Sequence, residues 1–269
     1  MATRVFAVTA HPDDIEFEMA GTLILLARAG CETHYMNIAN GSFGSAELDA
    51  RTIAGIRLGE ARNAAARIGS VFHEPLAGDL EIFYEKKLLA KMGSIMRSVA
   101  PDILLVHSPE DYMEDHMNAC RLAVTAAFCR GMRNFQVDPP CDPVFNDVTV
   151  YHAQPHGNKD LLNRLVLPDF FVDISSVIGE KSAMLSEHKS QKQWLELSQG
   201  FDAYVEKMKD LSREMGKLSG QCEFAEGWRR HNSLGLCSTD ANPMDHFLKN
   251  YMIRRREPGN PSHMKIDRT

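Results

Sequence analysis

The stretch RVFAVTAHPDDIEFEMAGTLILLARAG, residues 4–30, sets the fold and the chemistry together. Arg4–Thr9 is a short run of β-branched, aromatic and small residues that reads as a buried strand. From Asp14 to Ala29 the apolar residues Ile15, Met19, Leu23 and Leu26 recur at helical intervals, and Gly30 closes the run. Between strand and helix stand His11, Pro12, Asp13 and Asp14. The proline fixes one φ angle and stiffens the turn. An imidazole and two carboxylates on such a turn have two readings. They cap the helix, whose first N–H groups favour acids, or they hold a divalent metal.

The same alternation continues outward. Thr33–Ala39, Ser70–Leu76, Asp102–His107, Asp147–His152 and Phe170–Ile174 read as strands. Arg51–Ile68, Lys86–Val99, His116–Arg130, Ser176–His188 and Phe201–Leu218 read as helices. Strands alternating with helices predict an α/β fold: a Rossmann-like sandwich with a mostly parallel sheet flanked by helices, followed by a C-terminal helical and extended region. One domain is expected over residues 1–256, with a core over 1–175, an extension over 176–256 and a flexible tail over 257–269. Ligands in such sheets sit at the carboxyl ends of the strands, which is where His11, the turn-rich loop Asn40–Ser45 and His107 fall. The Pro-, Asp- and Asn-rich stretch 131–160 reads as a long functional loop with one strand inside it.

Composition narrows the function. Thirty Lys+Arg stand against thirty-six Asp+Glu in 269 residues, a net charge of −6. An acidic chain lacks the basic face that nucleic acid demands. Arg254, Arg255 and Arg256 read as a solvated helix end. Apolar runs such as Leu23–Ala27 fall far short of the roughly 20 residues that span a bilayer. No secretory apolar stretch precedes His11, so a cytoplasmic protein is expected. Six cysteines have no C-x-x-C spacing and read as small buried apolar residues. No G-x-G-x-x-G follows the first strand, which argues against a dinucleotide site.

A second loop shifts the balance toward metal. The strand ending at His107 runs into Ser108-Pro109-Glu110-Asp111-Tyr112-Met113-Glu114-Asp115-His116 and then a helix. His116 is placed to supply a third ligand beside His11 and Asp14, with Asp115 as an acceptor for a ligating imidazole. Two histidines and one aspartate on one sheet edge form a catalytic metal set with a coordination position left for water.

With these elements in hand, the sequence resembles the LmbE/PIG-L family of zinc-dependent N-deacetylases. His-Pro-Asp-Asp after the first strand and Asp-His at a later helix start carry the resemblance. Gly21-Thr22-Leu23, Asn40-Gly41-Ser42 with Gly44, Arg57-Leu58-Gly59-Glu60 with Ile68-Gly69, Asp79 and Pro101-Asp102 fit it further. So do Asp173-Ile174-Ser175, Lys181, His188-Lys189-Ser190-Gln191 and Phe224-Ala225-Glu226. The resemblance implies that His11, Asp14 and His116 bind zinc and that Asp13 is the general base. It also implies that Arg57 and Asp79 contact a sugar-like substrate, and that Trp228, Arg229, Arg230 and His231 reach a neighbouring subunit. Asn40 and Tyr112 are further candidates for substrate contact.

One departure stands out. The family carries His three residues before its last ligand, where this chain has Met113. Methionine cannot donate a hydrogen bond to an oxyanion, and losing one such donor costs about 10²–10³ in rate. Tyr112, His152 and His156 are the candidates to replace it, with His156 favoured. The expected activity is removal of an N-acyl group, chiefly acetyl, from an amino sugar or similar small polar amide. Zinc is the expected cofactor, though iron, cobalt and manganese accept the same ligands. The alternatives are a metal-dependent hydratase of an unsaturated acid and a non-catalytic sugar- or nucleotide-binding protein. The sequence does not give the oligomeric state, although the long C-terminal region is compatible with a homo-oligomer.

Overall fold

The computed structural model describes residues 2–191 and 203–255. The expected tail at 257–269, Arg256, and the first two residues of the helix expected at Phe201–Leu218 lie outside the described residues. In chain order the elements are β1 (Arg4–Thr9), α1 (Asp14–Glu18), α2 (Ala20–Arg28), β2 (Glu32–Asn37), α3 (Ala50–Ala66), β3 (Val71–His73), α4 (Lys86–Val99) and β4 (Ile103–Val106). They continue with α5 (Glu114–Cys129), β5 (Thr149–Ala153), β6 (Phe170–Asp173), α6 (Ile178–Leu185), α7 (Ala203–Ser219), β7 (Ala225–Arg230), α8 (Pro243–Phe247) and β8 (Met252–Arg254).

The strands form one sheet in the order β3-β2-β1-β4-β5-β7-β6-β8. The first five are parallel; β7 runs antiparallel to β5 and β6, and β8 antiparallel to β6. Both faces are covered, and the strand alternation shows it. Val5, Ala7, Ile103 and Leu105 pack into one core with Leu23, Leu26 and Trp228. Phe6, Val8, Leu104 and Val106 pack into the other with Met92, Met96 and Leu122. A strand buried on both sides reads as an unbroken apolar run, as β1 and β4 do.

Several expectations change. The helix expected over Asp14–Ala29 breaks at Met19, whose φ of −144° and ψ of −2° are not helical. The break frees the N–H groups of Gly21 and Thr22, and both donate to the Glu226 carboxylate, at 2.8 and 2.7 Å. Glu226 in turn pairs with Lys181 at 2.6 Å, and both side chains are buried. A Cβ at Gly21 would stand 2.9 Å from a Glu226 oxygen, so glycine lets that carboxylate approach.

The C-terminal region is threaded into the sheet rather than appended to it, because β7 lies between β5 and β6. Trp228 is fully buried, with its indole N–H on Thr22 Oγ1 at 3.0 Å, and is turned away from any neighbour. Arg254 ends a strand, not a helix. Of the cysteines only Cys31 and Cys120 are buried; the other four are partly exposed.

Candidate metal and active site

The chain passes from β1 to β2 and β3 on one side of the sheet, and from β4 to β5 on the other. The carboxyl ends of β1 and β4 therefore flank the point where strand order reverses, the usual crevice for a ligand. His11 follows β1 and His107 follows β4, while His116 lies in the first turn of α5.

The hydrogen-bond inventory fixes which ring nitrogens are free. A carboxylate can only accept, so the imidazole facing it must donate. His11 Nε2 donates to Asp115 Oδ2 at 2.9 Å. His116 Nδ1 faces Asp111 Oδ1 at 3.3 Å. The two remaining nitrogens turn to one carboxylate. His11 Nδ1 lies 3.6 Å from Asp14 Oδ2, and His116 Nε2 lies 3.5 Å from Asp14 Oδ1. Ligand atoms around a tetrahedral zinc, each at about 2.0–2.1 Å, stand roughly 3.3 Å apart. Both contacts to Asp14 are of that order, one through each of its oxygens, while His11 stands outside the tighter group of Asp14, Glu18, His107 and His116. Asp14 Oδ2 is already engaged by the His11 N–H at 2.6 Å, which leaves Oδ1 as the freer oxygen.

Charge supports the same fit. Burial alone would lower the pKa of His11, but its hydrogen bonds to Asp115 and Asp14 outweigh this and raise it to about 10. Burial works against the Asp14 charge, yet the imidazoles around it, His116 foremost, hold its carboxyl well below the usual range. A pocket that stabilises positive charge on imidazole and negative charge on carboxylate also suits a divalent cation.

Beneath these residues lies a layer that the sequence reading did not assign. Asp14, Glu18, His107 and His116 each offer a ligand atom within 4.8 Å of one another, a group able to hold a metal. Within it, His107 Nδ1 donates to Glu18 Oε2 at 2.7 Å and Nε2 accepts the Ala10 N–H at 2.9 Å. Those two atoms are thus engaged with protein partners. The His107 ring stacks on His116, centroids 4.2 Å apart and planes within 8°. Glu18 and His107 accordingly form a buried floor that sets the orientation of His116. In the sequence, Glu18 follows Asp14 by one helical turn, and His107 ends a strand at the same sheet edge.

Asp13 is set apart from the ligand cluster. Its backbone is left-handed, at φ 105°, a conformation that Asp tolerates better than most residues. Tyr204 donates to its Oδ2, and Arg57 Nη2 lies 3.5 Å from the same oxygen. Burial raises the Asp13 pKa above the usual carboxylate value, with the Asp14 charge adding to it, against Arg57 and Tyr204. A carboxylate of raised basicity beside a cation cluster can accept a proton.

A cavity of about 550 Å³ opens over this group. Arg57, Asp79, Tyr112, Met113 and His156 all line it, as do His11, Asp13, Asp14 and His116. Arg57 and Glu60 do not pair with each other. Arg57 donates to the Pro12 carbonyl, whereas Glu60 accepts from Ser190 N and Oγ at 2.8 and 2.7 Å. Asp79 accepts the N–H groups of Gly41 and Phe43, at 2.7 and 2.9 Å, and so shapes the loop after β2. Gly44 is needed there, since a Cβ would come within 2.4 Å of Arg57 Nη1.

Asn40 does not line the cavity; its side chain closes a turn on Ser42 N at 3.0 Å. His152 is also elsewhere, buried between the His107 carbonyl at 2.9 Å and His231 Nδ1 at 2.8 Å. His156 faces Tyr112 and Phe17, with ring centroids 5.5 and 5.3 Å away.

Residues 6–128 match the family described as PIG-L: GlcNAc-PI de-N-acetylase. The chain is 26% identical over 233 residues to the diacetylchitobiose deacetylase of Thermococcus kodakarensis, covering 84% of this chain and 82% of that protein. It is 27% identical over 186 residues to the 4-oxalmesaconate hydratase of Pseudomonas putida, covering 66% and 70%. The N,N'-diacetylchitobiose deacetylase of Pyrococcus horikoshii superposes with a TM-score of 0.72 at 22% identity, over 87% of this chain and 85% of its own, a likeness of fold. Over residues 6–128 the chain matches a PIG-L (LmbE-like) family domain, with a deacetylase among its relatives.

Proposed function

We propose that the protein is a metal-dependent amidohydrolase that removes an N-acyl group, chiefly acetyl, from an amino sugar or a similar small polar amide. One observation carries the reading. Two imidazoles whose outer nitrogens face carboxylates turn their inner nitrogens to Asp14, while a second carboxylate, Asp13, stands beside them in a cavity of about 550 Å³. His11, Asp14 and His116 are the proposed ligands and zinc the proposed ion; iron, cobalt or manganese suit the same donors.

When bound, such an ion would polarise the amide carbonyl and acidify water to a pKa of about 7. The chain's own groups do the rest. Asp13 takes a proton from the attacking water and passes it to the amine nitrogen as the C–N bond breaks, leaving a carboxylate and a free amine. His156, on the cavity wall with Met113 and Tyr112, is the proposed donor to the developing oxyanion in place of the family histidine. Arg57 and the aromatic faces of Phe43 and Tyr112 are proposed to receive the rest of the substrate. The diacetylchitobiose deacetylase relative supports an amino-sugar substrate.

Met113 and the hydratase relative favour one second reading, addition of water to an unsaturated acid, which needs no such oxyanion donor. The test is incubation of the zinc-supplemented protein with N,N'-diacetylchitobiose, N-acetylglucosamine and an enol acid. Stoichiometric acetate and primary amine, abolished by chelator, are expected. Loss of alkene absorbance without acetate would replace the proposal with hydration.

A further inference from the structure

We infer that Tyr204, from the C-terminal helix α7, is the positioning residue for the general base Asp13, so that the base is aimed by a part of the chain outside the region matched to the family. The inference rests on the hydrolytic reading above.

Tyr204 is almost fully buried. It packs with Leu185 and Met208, and its ring meets Phe17 edge to face, centroids 5.2 Å apart at 72°. The ring is therefore locked, and its hydroxyl has a fixed direction. That hydroxyl donates to Asp13 Oδ2, the same oxygen that lies 3.5 Å from Arg57 Nη2. The hydroxyl's hydrogen bond and the guanidinium's charge both meet Oδ2, and Oδ1 takes no hydrogen bond from any described residue.

This asymmetry has a chemical use. The terminal torsion of an aspartate is broad and roughly two-fold, so a carboxylate without partners does not stay aimed. One hydrogen bond, from Tyr204, and one ion pair, to Arg57, on the same oxygen pin the group and leave the other oxygen free to take a proton. The backbone fixes the opposite end of the same side chain, because Asp13 is held at φ 105°. Misplacing a reacting group by about 1 Å can cost 10²-fold in rate. Tyr204 itself takes no proton in the reaction; it acts through Asp13.

The test is a double-mutant cycle with Tyr204→Phe and Asp13→Asn, read on zinc-supplemented protein with N,N'-diacetylchitobiose, alongside metal content and Tm. Tyr204→Phe is expected to lower kcat by about 10- to 100-fold, with KM within twofold of wild type and full metal content. In the Asp13→Asn background the same change is expected to do nothing further. Met208→Leu, which alters the same packing cluster without touching Asp13, is the control and is expected to hold kcat within twofold.

An additive effect in the double variant, an effect on KM alone, or an equal loss in Met208→Leu overturns the inference. The melting temperatures give a readout independent of turnover. The two single shifts are expected not to sum in the double variant, because they remove one hydrogen bond; strictly additive shifts overturn the link. Wild-type protein that hydrolyses none of the amides sinks the reaction assigned above, and the melting cycle then judges the Tyr204–Asp13 link alone.

Discussion

Replacing Asp111 and Asp115 by Asn tests whether the two histidines are built as ligands. Asp115 Oδ2 takes the His11 Nε2 proton at 2.9 Å and the Leu80 N–H at 2.7 Å. Asp111 faces His116 Nδ1 at 3.3 Å and accepts the N–H groups of Tyr112 and His156, at 2.7 and 3.0 Å. Asn keeps the shape but loses the charge that makes each imidazole a stronger ligand.

Loss of such an outer partner weakens metal binding about 10- to 100-fold, which is about 1.4–2.8 kcal/mol. The shorter contact at Asp115 puts that variant at the upper end and Asp111→Asn at the lower. Asp111→Asn also turns an amide NH₂ toward a backbone N–H, a buried mismatch worth about 1–3 kcal/mol of folding stability. Chelator competition with zinc gives the affinities, and melting of the metal-free proteins separates the folding term. Affinities within twofold of wild type for both variants would refute the ligand assignment; a larger loss for Asp111→Asn would refute the ranking by distance.

Three further outcomes are expected. His156→Ala lowers kcat about 10²-fold, and adding Met113→His recovers part of it; an unchanged kcat in His156→Ala removes His156 from the reaction. Lys181→Met leaves the Glu226 carboxylate buried with only the Gly21 and Thr22 N–H groups. It should cost about 3–5 kcal/mol, or roughly 6–20 °C in Tm, and a fall below 3 °C by circular dichroism would contradict this. Burial lowers the His152 pKa to about 4, below its unfolded value, so the unfolded chain binds the proton first on acidification. The stability held at neutral pH is then lost as pH falls from about 6.5 toward 4, by about 2 kcal/mol at pH 5. Denaturant melts of His152→Gln at pH 7 and pH 5 should show a smaller difference than wild type.

The residues proposed as metal ligands and base stand out in the sequence because they are local. His11, Asp13 and Asp14 share one turn after a strand whose apolar run is unmistakable, and the loop before His116 announces itself by its acids. The parallel half of the sheet followed from the same alternation. What escaped depends on contacts across long separations. The break at Met19 serves Glu226, 205 residues from Gly21, and no local propensity marks it. Insertion of β7 between β5 and β6 is a pairing choice that periodicity does not encode. Tyr204 is one aromatic in an amphipathic helix, and only the fold brings it to Asp13, 191 residues away. Asn40 is a polar residue in a loop at the right sheet edge whose side-chain oxygen closes its own turn.

The most direct measurement is the position of the metal in crystals of the zinc-loaded protein, read from anomalous scattering at the zinc edge. One strong peak is expected about 2.0–2.2 Å from His11 Nδ1, an Asp14 oxygen and His116 Nε2. A peak between Glu18 and His107, or none at this sheet edge in protein that hydrolyses the amide, would contradict it.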